Sequence, residues 1–374
     1  MIEAKDFYNE LIANKINFFA GVPDSLLKDI CAYIADHTPK EKNIIAANEG
    51  AAIALGTGYH LATGKIPLIY MQNSGIGNAV NPLLSLADKE VYSIPMILLI
   101  GWRGEPGVKD EPQHIKQGRV TTALLERMEI PYLILDEKTD FKSIIETSAS
   151  NSKKYLKPVA ILVRKSTFTT YKLLNKTPDK YGMTREEALH AVLTNIPVGS
   201  IIVSTTGMLS RELFEQRKKN GQGHQSDFLT VGSMGHASQI ALGIALEKPE
   251  RHVYCFDGDG ASIMHTGSMG IIGDMAPANF THILFNNGAH DSVGGQPTIG
   301  FKINFSKIAE AFNYKYFSQV SSPEDLNSIL LNLQSAIGPS FLEVCVNKGA
   351  RKDLGRPTTS PVENKNAFME NLNQ

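Results

Sequence analysis

Apolar segments of strand length alternate with helix-length segments along the whole chain of 374 residues. Continuous apolar runs such as Met96–Ile100 and His282–Phe285 are typical of strands that are buried on both faces of a sheet. Such strands, separated by helices, predict βαβ units, and βαβ units build parallel sheets. The pattern therefore predicts an α/β protein with doubly wound parallel sheets.

The apolar runs predict six strands in the first half of the chain and five in the second. The predicted strands are Phe18–Ala20, Ile44–Ala47, Pro67–Met71, Met96–Ile100, Tyr132–Leu135, Val159–Val163, Ile201–Ser204, Leu229–Val231, His252–Phe256, His282–Phe285 and Phe341–Val346. The alternation stops between Val163 and Thr184, in a polar stretch that contains Pro178 and Gly182. This break predicts a domain at 1–165, a linker at 166–183 and a second domain at 184–374, and the chain length suits two domains.

Composition excludes several classes of function. The net charge is −1 and no long basic run is present, so neither nucleic acid nor an anionic membrane surface is expected as a partner. The longest apolar runs are far shorter than a membrane span, and the charged N-terminal segment does not resemble a signal peptide. Three cysteines without CxxC spacing, Cys31, Cys255 and Cys345, predict buried thiols in a reducing cytoplasm. We expect a cytoplasmic protein.

Two polar motifs stand at the ends of consecutive predicted strands in the second half. GDG at 258–260 follows one apolar run, and NN at 286–287 follows the next. Ligands of an open parallel sheet bind beyond the carboxyl ends of its strands, so Asp259 and Asn287 can meet around one metal ion. Carboxylate and amide oxygens suit Mg²⁺ or Ca²⁺, with phosphates completing the coordination. The alternative is two ordinary βα turns.

These motifs resemble the diphosphate-binding segment of the thiamine-diphosphate-dependent 2-oxoacid decarboxylase family, in which GDG is followed by NN. The resemblance implies thiamine diphosphate and Mg²⁺ as cofactors and two domains of the thiamine-diphosphate-binding fold. It assigns the metal to Asp259, Asn287 and the backbone carbonyl of Ala289, with Asn286 as the alternative if the register shifts by one residue. The cofactor-binding residues that it implies in this segment are Gly258, Asp259, Gly260, Ala261, Asn287 and Ala289.

A carboxylate in the first half has a similar position. Glu49 follows the strand predicted at Ile44–Ala47 and begins a helix of small residues. An acid at a helix start complements the helix dipole, which is the structural alternative. The segment also resembles the pyrimidine-binding domain of the same family, in which a Glu precedes Gly-Ala-Ala and a helix that ends in Ala-Thr-Gly-Lys, here at 62–65. The resemblance implies that Glu49 bonds the pyrimidine N1′ and promotes deprotonation of the thiazolium C2.

Two more loops at predicted strand ends complete the implied cofactor site. In the loop before the helix at 236–246, the family places a bulky apolar residue that holds the cofactor bent, here Met234, and a carbonyl that accepts the 4′-amino group, here Gly232. The loop after Ile201–Ser204 can touch the diphosphate. The implied contacts in these loops are Gly207, Met208, Gly232, Ser233 and Met234. Each loop taken singly is also compatible with a plain βα turn.

Between the two predicted domains there is only a linker, so the chain resembles the compact members of the family that lack a middle domain. Motifs at 21–25, 74–84, 101–114, 286–298 and 349–359 resemble the decarboxylases that act on 3-phosphonopyruvate, with those that act on sulfopyruvate as the nearest relatives. The resemblance implies conversion of 3-phosphonopyruvate to phosphonoacetaldehyde and CO₂ through the thiazolium ylid, a step of phosphonate biosynthesis. Sulfopyruvate decarboxylation to sulfoacetaldehyde and a non-catalytic cofactor-binding subunit are the alternatives.

Cationic residues after two predicted strands are candidates for binding the substrate anion, because a phosphonate needs charged groups with several donors. We expect at least one of Arg103, His114 and Arg351 to contact it, and a solvated charged loop is the alternative. Asp24 follows the first strand and either relays the proton that completes the reaction or caps the next helix.

Glu49 lies in the first half of the chain, and the GDG and NN motifs lie in the second. The family sets the pyrimidine half of one chain against the diphosphate half of another. The resemblance therefore implies a homodimer or higher homo-oligomer with active sites at the interface. Because both halves are present in one chain, no partner protein is expected.

Overall fold

The computed structural model describes residues 1–174 and 180–374. The chain divides into two compact units, Met1–Lys176 and Thr177–Gln374. Each unit is built around one six-stranded sheet, in which the paired strands run parallel. This confirms the prediction of two doubly wound parallel sheets without a middle domain.

The first unit alternates helices and strands from its start. Its helices are α1 (Ala4–Ala13), α2 (Lys28–His37), α3 (Glu49–Thr63), α4 (Ile76–Pro82), α5 (Pro112–Arg127) and α6 (Phe141–Tyr155). Its strands are β1 (Phe19–Gly21), β2 (Asn43–Ile45), β3 (Leu68–Gln72), β4 (Met96–Gly101), β5 (Tyr132–Leu135) and β6 (Pro158–Val163), in the order β2-β1-β3-β4-β6-β5. Every residue of β4 is buried, because helices cover both faces of the sheet.

The second unit repeats this plan. Its helices are α7 (Arg185–Asn195), α8 (Met208–Lys219), α9 (Ala237–Glu247), α10 (Asp259–Met264), α11 (Gly267–Met275), α12 (Phe305–Ala311), α13 (Pro323–Leu333) and α14 (Pro361–Leu372). Its strands are β7 (Ile201–Ser204), β8 (Asp227–Leu229), β9 (Val253–Gly258), β10 (Phe280–Asn286), β11 (Tyr316–Val320) and β12 (Ser340–Cys345), in the order β11-β12-β10-β9-β7-β8.

Burial on both faces explains why the central strands of the second sheet were recognisable in the sequence. Tyr254 and Phe256 of β9 pack into one core cluster, whereas Val253 and Cys255 face a second cluster on the opposite side. Side chains of a strand alternate between the two faces, so a strand covered on both sides is apolar at nearly every position.

Two strand assignments differ from the structure. The strand β11 was not predicted, and the strand expected at Leu229–Val231 lies two residues earlier, at Asp227–Leu229. At the two ends of the predicted linker 166–183, Phe168 packs into the core of the first unit and Met183 into the core of the second, and the linker stays a prediction. Pro178 of that stretch lies outside the described residues.

The cysteines and the helices were compared with the expectations from the sequence. Cys31, Cys255 and Cys345 are free and buried, which matches their apolar sequence contexts. None of the described helices combines the length and the apolar character that crossing a membrane requires.

Candidate active site

The carboxyl ends of β9 and β10 bring the GDG and NN motifs together. The two strands are neighbours, and Phe285 lies opposite Gly258 in their register. Asp259 is the first residue of α10, directly after β9, and Asn287 is the first residue beyond β10. The two side chains named as metal ligands from the sequence therefore leave adjacent strands at the same edge of the sheet.

The carboxylate of Asp259 is buried, with 2% of the residue exposed. It accepts a hydrogen bond from the hydroxyl of Thr298, and burial raises its pKa to about 7. Gly300 passes so close that a Cβ placed on it would stand 2.6 Å from Asp259 Oδ2. Among the described residues no cationic side chain pairs with this carboxylate. A buried carboxylate of this kind, in a cradle kept open by a glycine, fits a divalent cation, because the cation would offset the cost of burying the negative charge.

Asn286 and Asn287 have different roles in the structure. The Asn286 amide donates to Glu343 Oε1 at 2.7 Å and to the Gly300 carbonyl at 3.0 Å, and its Oδ1 accepts from the Gly288 N–H. Its polar atoms are thus engaged within the protein. Asn287 donates from Nδ2 to Asp291 at 2.7 Å, which turns its oxygen away from that carboxylate. Both amides have partners for their nitrogen and for their oxygen, so these hydrogen bonds do not choose between them. Asn287 stays the predicted ligand, with Asn286 as the alternative.

The Asn287 oxygen accepts the N–H of Ala289 at 3.0 Å, so the loop after β10 is folded tightly around this amide. Ala289 is buried and forms an isolated bridge with Pro297. The role of its carbonyl as the third metal ligand stays a prediction.

The loop before α9 reaches the GDG motif. A Cβ placed on Gly260 would lie 3.3 Å from the terminal methyl of Met234 and 3.0 Å from the ring of His290. Gly232 and Ser233 lie in the same loop, where Ser233 has a φ of 52°. The structure thus brings Met234 against the turn that is predicted to hold the diphosphate.

The loop before α8 lies near the loop after β10. Gly207 caps α8 with a φ of 102°, a conformation that favours glycine, and Met208 is the first residue of the helix. The nearest atoms to a Cβ on Gly207 belong to Ser292, in the loop after β10. Gly258 ends β9 and Ala261 is buried in α10. The predicted cofactor contacts of the second unit therefore cluster at one sheet edge.

Sequence reasoning missed several residues of this edge. Asp291 Oδ2 accepts hydrogen bonds from Asn287, from Arg185 at 3.1 Å and from the Gly349 N–H at 2.8 Å. His290 lies beside Gly260, and burial lowers its pKa to about 4, so its ring is neutral at neutral pH. Both belong to the motif at 286–298, which was recognised as a segment and not residue by residue.

Glu49 occupies a separate polar site in the first unit. It begins α3 and is 5% exposed, and its Oε2 accepts a hydrogen bond from Asn78 at 2.7 Å. Burial raises the pKa of this carboxyl, and the Asn78 bond opposes the increase only in part. Its position at a helix start also agrees with the structural alternative. A buried carboxyl with a raised pKa fits a group that shares a proton with a bound heterocycle.

Asp24 is fully buried and accepts hydrogen bonds from Gln72 at 2.6 Å and from the Leu26 N–H at 2.8 Å. Burial raises its pKa, while these donors and the charge of Arg103 lower it. The helix α2 begins at Lys28 without a side-chain cap, so the helix-cap alternative for Asp24 is wrong. A role in proton transfer stays a prediction.

Of the three predicted substrate-binding residues, the two arginines pair with carboxylates of the protein and the histidine is uncharged at neutral pH. Arg103 forms a two-point ion pair with Asp110, at 2.8 and 2.5 Å, and donates to Ser25. His114 is buried, and burial followed by the charge of Arg103 lowers its pKa to about 4. Arg351 is surrounded by three carboxylates, which belong to Glu186, Glu215 and Asp353. Contact of these residues with the substrate stays a prediction.

Two family models match the two halves of the chain separately. The N-terminal TPP binding domain of thiamine pyrophosphate enzymes matches residues 3–124, and the C-terminal TPP binding domain matches residues 203–344. The first match contains Glu49, and the second contains the GDG and NN motifs. Fold and site thus define a thiamine-diphosphate-binding protein.

The names of similar proteins indicate which group of thiamine-diphosphate enzymes the chain resembles. The phosphonopyruvate decarboxylases of Streptomyces viridochromogenes and Streptomyces hygroscopicus are both 32% identical, over 97% and 99% of this chain and 93% and 94% of their own. The sulfopyruvate decarboxylase of Methanosarcina acetivorans is 26% identical over 96% of this chain and 94% of its own. The chain belongs to the thiamine-diphosphate-dependent decarboxylases, in the group that contains the phosphonopyruvate decarboxylases.

Proposed function

We propose that the protein decarboxylates 3-phosphonopyruvate to phosphonoacetaldehyde and CO₂, with thiamine diphosphate and Mg²⁺ as cofactors. The observation that carries this proposal is the similarity to two phosphonopyruvate decarboxylases along 97% and 99% of the chain. The site supports it, because a buried carboxyl stands in each unit where the family model of that half matches.

The residues at the edge of the second sheet would hold the diphosphate and the metal. Asp259, Asn287 and the Ala289 carbonyl would bind Mg²⁺, since oxygen ligands suit this hard cation. Glycines of the GDG motif and of the loop before α8 would let the backbone approach the phosphates. When bound, thiamine diphosphate supplies the electron sink that decarboxylation of a 2-oxoacid requires.

Glu49 would act as the acid–base group of the first unit. Its raised pKa brings proton sharing with a ring nitrogen nearer to neutral pH, which is the condition for efficient general acid–base catalysis. Asp24 would hold or release a proton near the substrate, because it too is a buried carboxyl with a raised pKa. Closely packed surroundings at both residues would exclude water from the proton path.

We further propose that residues 1–165 form the pyrimidine-binding domain and residues 184–374 the diphosphate-binding domain, joined by 166–183. The active form would be a homodimer or higher homo-oligomer, in which Glu49 of one chain and Asp259 of another serve one cofactor. The presence of both carboxylates in one chain supports a catalytic protein that needs no second gene product.

Sulfopyruvate is the second candidate substrate, because the relative from Methanosarcina acetivorans is similar over 96% of the chain. Phosphonate and sulfonate groups share a tetrahedral shape and differ in charge, since a phosphonate can carry a second negative charge. A site that places two cations near the anion would favour the phosphonate.

A side-by-side assay of CO₂ release from 3-phosphonopyruvate, sulfopyruvate and pyruvate tests the proposal, with thiamine diphosphate and Mg²⁺ present. We expect the highest kcat/KM for 3-phosphonopyruvate and formation of phosphonoacetaldehyde in equal amount to CO₂. Asp259→Ala is the control for catalysis by the cofactor free in solution. A preference for sulfopyruvate or pyruvate would overturn the substrate assignment.

A further inference from the structure

A cavity of about 320 Å³ lies in the second unit beside the candidate cofactor site. Its walls come from the first turns of α8, from the loop after β10 and from the loop after β12. Three cationic side chains line it, Arg211, Arg351 and Lys352, together with one carboxylate, Asp291. The lining therefore carries an excess of positive charge.

Arg211 has no carboxylate partner among the residues that the structure describes. Its Nε donates to the Gly355 carbonyl at 2.6 Å, its Nη2 to the Leu354 carbonyl at 2.5 Å, and its Nη1 lies 3.4 Å from the sulfur of Met208. The side chain is partly buried, and burial lowers the pKa of its guanidinium. The charge of Glu212, which pairs with Arg185, opposes this decrease in pKa only in part. A partly buried charge whose hydrogen-bond partners are neutral is costly unless an anion joins it.

Two other buried or partly buried arginines are neutralised by carboxylates, whereas the partly buried Arg251 donates to the backbone carbonyls of Asn371 and Gly199 and does not line this cavity. Arg185 pairs with Glu212 at 2.8 Å, and Arg217 pairs with Asp227 at 3.0 Å. Arg351, in the same cavity as Arg211, is surrounded by carboxylates. The positive charge that stays available in the cavity thus belongs to Arg211 and to the exposed Lys352.

Direct contacts connect the cavity to the predicted metal ligands at the carboxyl ends of β9 and β10. Asp291 lines the cavity and accepts the hydrogen bond from Asn287, and Met208 lines it as the first residue of α8. Arg211 lies in the first turns of this 12-residue helix, where the helix dipole also favours a negative charge. An anion in the cavity would therefore lie next to the cofactor.

We propose that Arg211 and Lys352 bind the phosphonate group of the substrate. This inference rests on the proposed function and names the residues that distinguish a phosphonate-bearing 2-oxoacid from pyruvate. A guanidinium presents its remaining N–H groups in a fixed plane to two oxygens of a tetrahedral oxyanion, while a lysine adds a mobile charge. The diphosphate of the cofactor has the same oxyanion chemistry, so the experiment has to separate these two sources.

The test compares Arg211→Met, Arg211→Lys and Lys352→Met with the wild type. Lys218→Met is the matched control, because it removes an exposed cation from the same helix. Calorimetry measures the affinity of the cofactor-loaded protein for phosphonoacetate, and separately the affinity of the apoprotein for thiamine diphosphate with Mg²⁺. Steady-state kinetics gives KM and kcat for 3-phosphonopyruvate, and circular dichroism reports folding.

We expect Arg211→Met to weaken phosphonoacetate binding and to raise KM by about tenfold or more, since a charged hydrogen bond contributes on the order of 1.5–3 kcal/mol. Cofactor affinity should not change. Arg211→Lys should recover part of the loss, and Lys352→Met should give a smaller loss in the same direction. Lys218→Met should match the wild type.

Wild-type phosphonoacetate affinity and KM in folded Arg211→Met would overturn the inference, as would a loss confined to cofactor affinity, which would assign Arg211 to the diphosphate. If Arg211→Met does not fold, Lys352→Met decides by the same criteria. Arg211-dependent phosphonoacetate binding without CO₂ release from 3-phosphonopyruvate by the wild type would refute the proposed function and support the oxyanion site.

Discussion

Gly75 packs directly against the carboxyl group of Glu49, so closely that a Cβ placed on Gly75 would stand 2.5 Å from the carboxyl carbon. Gly75→Ala must therefore displace the Glu49 side chain. Misplacing a catalytic group by about 1 Å costs on the order of 10²-fold in rate, and we expect a loss of that size in kcat for 3-phosphonopyruvate.

Gly77→Ala is the control for this substitution, because a Cβ on Gly77 meets nothing within 4 Å. Gly77 lies in α4, so its replacement by alanine should leave kcat unchanged and stabilise the helix by about 0.5–1 kcal/mol. Equal kcat values for the two variants and the wild type would show that the position of the Glu49 carboxyl is not critical.

Glu49→Gln keeps the shape of the side chain and removes its acid–base function. We expect thiamine diphosphate to bind almost as in the wild type, while exchange of the C2 proton for deuterium slows by on the order of 10²–10⁴-fold. Nuclear magnetic resonance of the quenched cofactor measures this exchange. An exchange rate equal to that of the wild type would leave Glu49 as no more than a helix-start acid.

The same variant should change how stability depends on pH. Burial raises the pKa of Glu49 in the folded apoprotein, so the folded state holds this proton to a higher pH than the unfolded state does. The wild type then loses stability, relative to Glu49→Gln, as the pH rises from the ordinary carboxyl value through the raised one. Differential scanning calorimetry from pH 4 to pH 8 should show this difference in Tm growing with pH, with exposed Glu146→Gln as the control.

The sequence predicted those features that depend on local pattern. The central strands are apolar at nearly every position, and Asp259 and Asn287 follow two of them directly, so their meeting at one edge follows from parallel topology. The strand β11 escaped recognition because it lies at the sheet edge, is mostly half-buried and contains Ser318 and Gln319. Its alternation of polar and apolar residues is too weak for a reliable prediction.

The missing parts of the site depend on contacts that are distant in sequence. Arg351 was a reasonable candidate for anion binding as a charged residue after a strand, yet Glu186 lies 165 positions away along the chain and occupies its guanidinium. Arg211 lies in an ordinary helical sequence, and only the fold shows that its hydrogen-bond partners among the described residues are neutral. The sequence shows which residues are charged, but only the structure shows which of them form ion pairs.

The two adjacent asparagines should differ in their effect on metal binding. Asn287→Ala should abolish Mg²⁺-dependent binding of thiamine diphosphate, measured by calorimetry, and should also lower the Tm of the apoprotein, because it removes the hydrogen bonds to Asp291 and from Ala289. Asn286→Ala should lower the free energy of unfolding by about 1–3 kcal/mol, because it removes the amide donor of Glu343 Oε1 and leaves the carboxylate with the Gln319 amide on its other oxygen. If Asn286→Ala abolished metal-dependent binding and Asn287→Ala did not, the ligand assignment would be reversed.

Mixing two inactive variants tests whether one cofactor site is made from two chains. Glu49→Gln disables the first unit, and Asp259→Ala disables the second, so each homodimer should be inactive. Random exchange gives hybrid dimers in half of the molecules, and each hybrid holds one intact site and one that carries both defects. Activity should therefore recover to about a quarter of the wild-type value per chain, in line with the symmetry of a dimer.

The recovery should appear only after the chains exchange, so mixing is done under conditions in which mass spectrometry of isotope-labelled protein detects hybrid dimers. A double variant that carries Glu49→Gln and Asp259→Ala on one chain is the control, because its mixture with either single variant contains no intact pair. Both carboxylates must serve the same cofactor for catalysis, and only the hybrids of single variants restore this combination. Proven hybrid formation without recovered activity would mean that each site is built within a single chain.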